Sequence, residues 1–271
     1  RGSWWHTAHW PGIGKRLVQH LGVYSALGSD RGCASDRGFS KKLNTFFFSF
    51  SVMIISFFEE FPVPRNLSKG ELVTWPSRLF IAAKTISEFQ NMKRKIKNKN
   101  IIDVIYWPVL PEQEGYWISP WVDEDVLTSL FRTILSQRKG FSVMLDLEPP
   151  KEVKLYPRCF TYSFHKKKRI IQHFLGEAGE RGINVYTVES AHIPLVLRRI
   201  LGVSFPSRYR QKRIVMYYTS FLRTYLPASV VEQKLAANAK RWSQQDIIPA
   251  LGLIAPGIYK NELTYGLSEL K

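Results

Sequence analysis

The chain has 271 residues, 45% of them hydrophobic, with 17 Phe and a formal net charge of +17. That apolar content supports a sizeable core and excludes a disordered chain, and two cysteines, Cys33 and Cys159, exclude a disulfide framework. So strong a basic excess points to anionic surroundings such as nucleic acid, phosphorylated ligands or an acidic membrane surface, unless it is a solvated lysine-rich surface.

Residues 1–45 repeat Ser-Asp-Arg-Gly at 29–32 and 35–38, cluster Trp, Gly and Ser, and hold no period. They read as a poorly ordered or non-native extension, and His6 and His9 within it are weak metal candidates. Residues 46–271 then form one domain. The apolar run Phe46–Phe58 is shorter than the ~20 residues of a membrane helix. It reads as a buried strand over Val52–Phe58, with membrane association the competing reading; the sparse cysteines are compatible with a reducing, cytoplasmic setting.

A strand–helix alternation follows. Helical spacing of Leu79, Ala82, Ala83, Ile86 and Phe89 predicts a helix over Ser77–Lys97. Strands are expected at Ile101–Tyr106, Phe141–Glu148, Ile183–Val188, Ile214–Thr219 and Ile247–Ile254. Helices are expected at Asp123–Gln137, Lys168–Arg181, Pro194–Leu201 and Ala228–Trp242. Near-continuous apolar strands alternating with helices imply a parallel sheet covered by helices. No Gly-rich nucleotide loop is present, so a (β/α)8 TIM-type barrel fits better than a doubly wound sheet. Six strands are visible where a barrel has eight, which predicts a barrel incomplete at its C-terminal end.

In such a barrel the loops after the strands carry the chemistry. After the strands stand Glu60, Trp107, Asp146, Glu148, Glu189, Tyr217 and Tyr218; before them stand Lys93, Arg94, Lys95, Lys97, Lys99, Arg208, Arg210, Lys212 and Arg213. The acids therefore gather on one face and the bases on the other. Asp146 and Glu148 lie two apart on a strand, so they share a face, roughly 7 Å apart. Glu148 is the candidate general acid, Asp146 its orienting partner, and Glu189 or Glu60 the second carboxylate. Loop 107–122 adds Trp107, Tyr116, Trp117 and Trp121, and the next loop adds Tyr156, Phe160, Tyr162 and Phe164. Rings beside carboxylates suit a carbohydrate substrate, unless they only pack the loops onto the rim. His192 is a further metal candidate, and His165 with the cations that follow it a phosphate candidate. No cofactor is expected.

The strand end Leu145-Asp146-Leu147-Glu148 resembles the terminal D-x-E of the chitinase-type (β/α)8 glycoside hydrolases. The resemblance implies Glu148 as the acid and Asp146 as its support. The family pattern carries a further Asp two residues earlier, where this chain has Met144, and the motif belongs to strand four, whereas this is the third strand visible. Leu147-Glu148-Pro149 is also similar to the strand-end Glu of xylose-isomerase-like metal-dependent isomerases and epimerases, the second reading. A non-enzymatic module binding an anionic partner through the basic face is the third.

Overall fold

The computed structural model describes residues 23–24, 55–111, 114, 117–150, 153–217, 226–244 and 247–251. In chain order the elements are β1 (Val23–Tyr24), β2 (Ile55–Glu59), α1 (Pro64–Leu67), β3 (Ser77–Ala83), α2 (Ile86–Lys93), β4 (Ile101–Pro108), α3 (Glu124–Leu135) and β5 (Ser142–Asp146). There follow α4 (Tyr162–Glu180), β6 (Asn184–Ser190), α5 (Leu195–Ile200), β7 (Lys212–Tyr217), α6 (Ala228–Gln244) and β8 (Ile247–Leu251).

Strands β2 to β8 pair in sequence order, each parallel to the next, and the short β1 pairs antiparallel with β8. Each parallel strand thus lies beside its sequence neighbour, as in a singly wound sheet. The sheet is nevertheless a curled half-barrel of seven parallel strands, which corrects the expected (β/α)8 TIM-type barrel, incomplete at its C-terminal end, with six strands visible. Strand–helix alternation specifies parallel neighbours covered by helices, and it does not specify closure. Closing depends on strand number, tilt and stagger together, none of which the hydrophobic pattern encodes.

The curl shows in the ring contacts. On a flat sheet β3 and β6 would stand three spacings apart, roughly 14 Å, yet the rings of Phe80 and Tyr186 meet edge-to-face at 5.4 Å. Phe58 stacks on Phe80 at 4.4 Å and meets Trp107 edge-on at 6.1 Å. These side chains, with Ile105, Met144, Val188, Ile214 and Ala250, fill the concave face. The alternate residues Phe57, Leu79, Ile81, Val104, Tyr106, Val143, Leu145 and Val185 face the helices and pack with Phe89, Leu127, Phe131 and Phe174. With both faces covered, the strands are apolar almost throughout.

The helix expected over Ser77–Lys97 is instead strand β3 followed by helix α2. The unbroken run Leu79-Phe80-Ile81-Ala82-Ala83 is buried on both sides, and a continuous apolar run satisfies a helical and a strand template equally. The helix begins only where a cap is available. Thr85 Oγ1 accepts from Glu88 N at 3.1 Å, and Glu88 Oε2 accepts from Lys84 N at 2.9 Å, a near-reciprocal arrangement. Thr85→Ala is expected to destabilise the fold by about 1 kcal/mol, read as a lowered midpoint in chemical unfolding. The missed strand also makes β5 the fourth parallel strand rather than the third.

Candidate functional site

The pleat sorts the acids by parity. On β5, Asp146 follows Met144 by two positions and continues the concave row, and Glu148, two residues past the strand end, stands close enough for its charge to act on Asp146. Glu60 stands one residue past the end of β2 and its charge also acts on Asp146, and Trp107 follows Ile105 on β4 in the concave row. Asp146, Glu148 and Glu60 therefore converge at the C-terminal end of the curled sheet. Burial raises the Asp146 carboxyl well above the ordinary aspartate range, and the charges of Glu148 and Glu60 push it the same way.

Asp146 is 6% exposed, and its Oδ1 has no hydrogen-bond partner; the equally buried Trp107 Nε1 also has none. A buried carboxyl with one oxygen left without a partner beside two further acids is costly when ionised, which favours its protonated form. Because the folded chain holds this proton more tightly than the unfolded one, the associated stability is complete below the ordinary Asp range of about 4 and is lost as pH rises through the raised value. Asp146→Asn is expected to flatten the fall of Tm with pH above about 4. An unchanged Tm profile would place that titration on another group.

Loop and helix residues complete the rim. Ile118 N donates to the Asp146 carbonyl at 3.0 Å, which brings the half-buried Trp117 to the end of β5. Tyr156, half-buried in the loop after β5, has its phenol raised first by burial and then by the charge of Glu148, and its ring meets that of Trp121 at 6.1 Å. Tyr156 is one of the loop aromatics expected after the D-x-E strand, and it packs against the helix-facing core. Trp121 serves the loop itself. Its ring packs on Phe164 at 4.8 Å and its Nε1 donates to the Leu155 carbonyl at 3.3 Å.

Glu189 and Tyr217 stand on the other side of the sheet. Glu189 continues the helix-facing row of Val185 and Thr187 and is fully buried. Its Oε1 accepts from Arg213 Nε at 2.9 Å, and its Oε2 from Arg213 Nη2 at 3.0 Å and Arg198 Nη1 at 2.7 Å. This ion triad ties β6, β7 and α5 together and keeps Glu189 away from Asp146. Tyr217 packs with Val215, Val231 and Ile247 beside α6 and is hydrogen-bonded to Asn238. The His192 ring stacks on Tyr217 at 5.8 Å, away from the acids on the concave side. Tyr116, Tyr218, His6 and His9 lie outside the described residues.

Among the described residues, no three His, Cys, Asp or Glu side chains form a group able to hold a metal ion. Glu59, beside Glu60, points the opposite way and is bonded by Phe61 N at 3.0 Å and Asn66 Nδ2 at 3.2 Å. At the N-terminal end of the sheet, Lys93, Arg94, Lys95, Lys97, Lys99, Arg208, Arg210 and Lys212 are exposed, whereas Arg213 is buried in the Glu189 triad. These bases therefore lie at the end opposite Asp146, Glu148 and Glu60, with Arg213 removed from their group. Comparison with family models, curated proteins and solved structures finds no match to this chain.

Proposed function

We propose that this protein is a carbohydrate-active hydrolase that cleaves a glycosidic bond at the concave, C-terminal end of its sheet. The observation that carries the reading is the buried Asp146, whose Oδ1 has no hydrogen-bond partner, held toward its protonated form beside Glu148 and Glu60. Glycoside hydrolysis needs carboxyl groups kept in different protonation states by their surroundings. In this reading Glu148, half-buried at the rim, protonates the leaving oxygen, and Asp146 holds and orients that proton. Glu60 is the second carboxylate, which activates water or attacks the anomeric carbon. Trp107 and Trp117 line the sugar site.

The position of β5 as the fourth parallel strand is where the resembled D-x-E motif belongs, which supports the assignment. Met144 stands where that motif carries a further Asp, so the reading relies on Glu60 and not on a substrate acetamido group. A panel of aryl glycosides and oligosaccharides, assayed with wild type and Glu148→Gln, tests it. Turnover by wild type that is lost in the variant is the expected result. Equal turnover by both proteins sinks it, as does turnover that requires a stoichiometric divalent cation.

A further inference from the structure

Two segments distant in sequence share one surface at the basic end of the sheet. Asn98 Nδ2 donates to the Gly70 and Val73 carbonyls, both at 2.8 Å, and Asn100 Nδ2 donates to the Val73 carbonyl at 2.9 Å. Ser77 N donates to the Asn100 carbonyl at 2.7 Å. These bonds hold residues 68–76 against the turn between α2 and β4. The first segment brings Leu72 and Trp75, flanking Val73. The second brings Lys95, Lys97 and Lys99, interleaved with the asparagines.

A third apolar side chain joins them. Ser77 pairs with Ile101 and Arg78 with Asp103, so Ile102 is an extra residue that opposes nothing on β3. Such a bulge re-aims the side chain it carries, and Ile102 is 51% exposed, as Leu72 is at 68% and Trp75 at 37%. Segments 68–76 and 93–102 together hold six cations, Lys69, Lys93, Arg94, Lys95, Lys97 and Lys99, against the single acid Glu71. None of Lys95, Lys97 and Lys99 forms an ion pair among the described residues.

We propose that Leu72, Trp75 and Ile102, framed by Lys95, Lys97 and Lys99, dock this protein on an anionic lipid surface. The pairing of chemistries favours a lipid over a nucleic acid. Cations alone suit a phosphate backbone. Large apolar side chains beside lysines suit the headgroup boundary, where Trp is enriched and each cation near the surface adds to attraction. Among the described residues no helix is long and apolar enough to cross a membrane, and the docking surface needs none. Docked this way, the acid-lined end of the sheet faces water.

The test is co-sedimentation of the full chain with vesicles of phosphatidylcholine, alone or mixed with phosphatidylserine. Binding is expected only to the mixed vesicles and weakens as salt rises. Leu72→Ser with Trp75→Ser is expected to reduce partitioning about tenfold, and Lys97→Glu with Lys99→Glu at least as much. Phe160→Ser with Tyr162→Ser, two exposed aromatics at the opposite end, leaves binding unchanged. Far-ultraviolet circular dichroism verifies that each variant is folded. Equal binding to pure phosphatidylcholine overturns the proposal, as does no sedimentation. So does tight, salt-dependent binding to a DNA duplex that ignores the Leu72 and Trp75 substitutions.

Discussion

Glu189→Ala is expected to destabilise the protein by about 3–5 kcal/mol, because it strands two buried guanidinium groups. Arg198 and Arg213 are 8% exposed each, and Glu189 supplies both of its oxygens to them. Breaking a buried pair costs far more than the pair is worth, since desolvated charge is left uncompensated. For a chain of this size each kcal/mol lowers Tm by about 2–4 °C, so a drop on the order of 10 °C is anticipated. Replacing all three members by apolar residues of similar volume, as in Glu189→Leu with Arg198→Met and Arg213→Met, is expected to recover most of that loss. Chemical unfolding of the single and triple variants measures both quantities. A neutral Glu189→Ala would show that the triad bears no weight in the fold.

Glu148→Gln is expected to lower glycoside turnover by about 10²–10⁴-fold, the usual contribution of a positioned general acid. The amide keeps the shape and removes the transferable proton, so stability should change little while kcat falls. Glu60→Gln is expected to cost a comparable factor, but with the loss sharing no additivity with the first, since the two groups act on one bond. Asp146→Asn distinguishes an orienting role from a direct one. It should shift the pH–rate profile of kcat/KM while retaining more activity than Glu148→Gln. Loss of activity in Asp146→Asn equal to that in Glu148→Gln, with an unshifted profile, would contradict the division of roles.

Much of this arrangement can be read from residue order, and the exceptions have physical causes. Parity along a strand was enough to place Asp146 on the concave side, with Glu148 and Glu60 just past the ends of their strands. The same parity places Glu189 with Val185 and Thr187, and Tyr217 with Val215, on the other. Grouping residues only by which end of a strand they followed put Glu189 and Tyr217 in the site, because an end contains both faces. Strand β3 was hidden because Leu79 to Ala83 is apolar at every position, so no period separates helix from strand; the capping pair Thr85 and Glu88 was the legible boundary. Closure was not legible at all, since it depends on stagger between strands. Nor was the surface around Trp75, which exists only because Asn98 and Asn100 reach back to a segment more than twenty residues earlier.

The order of the parallel strands has a consequence for biosynthesis. Each strand from β3 to β8 finds its hydrogen-bonding partner in the strand made just before it, so the sheet can be assembled progressively while the rest of the chain is still on the ribosome. Loop closure then spans one helix at a time, which keeps the entropic barrier of each addition small. The growing edge is always the newest strand, and it is unpaired until the next one emerges, which makes it the point at which a nascent chain is open to mispairing or chaperone capture.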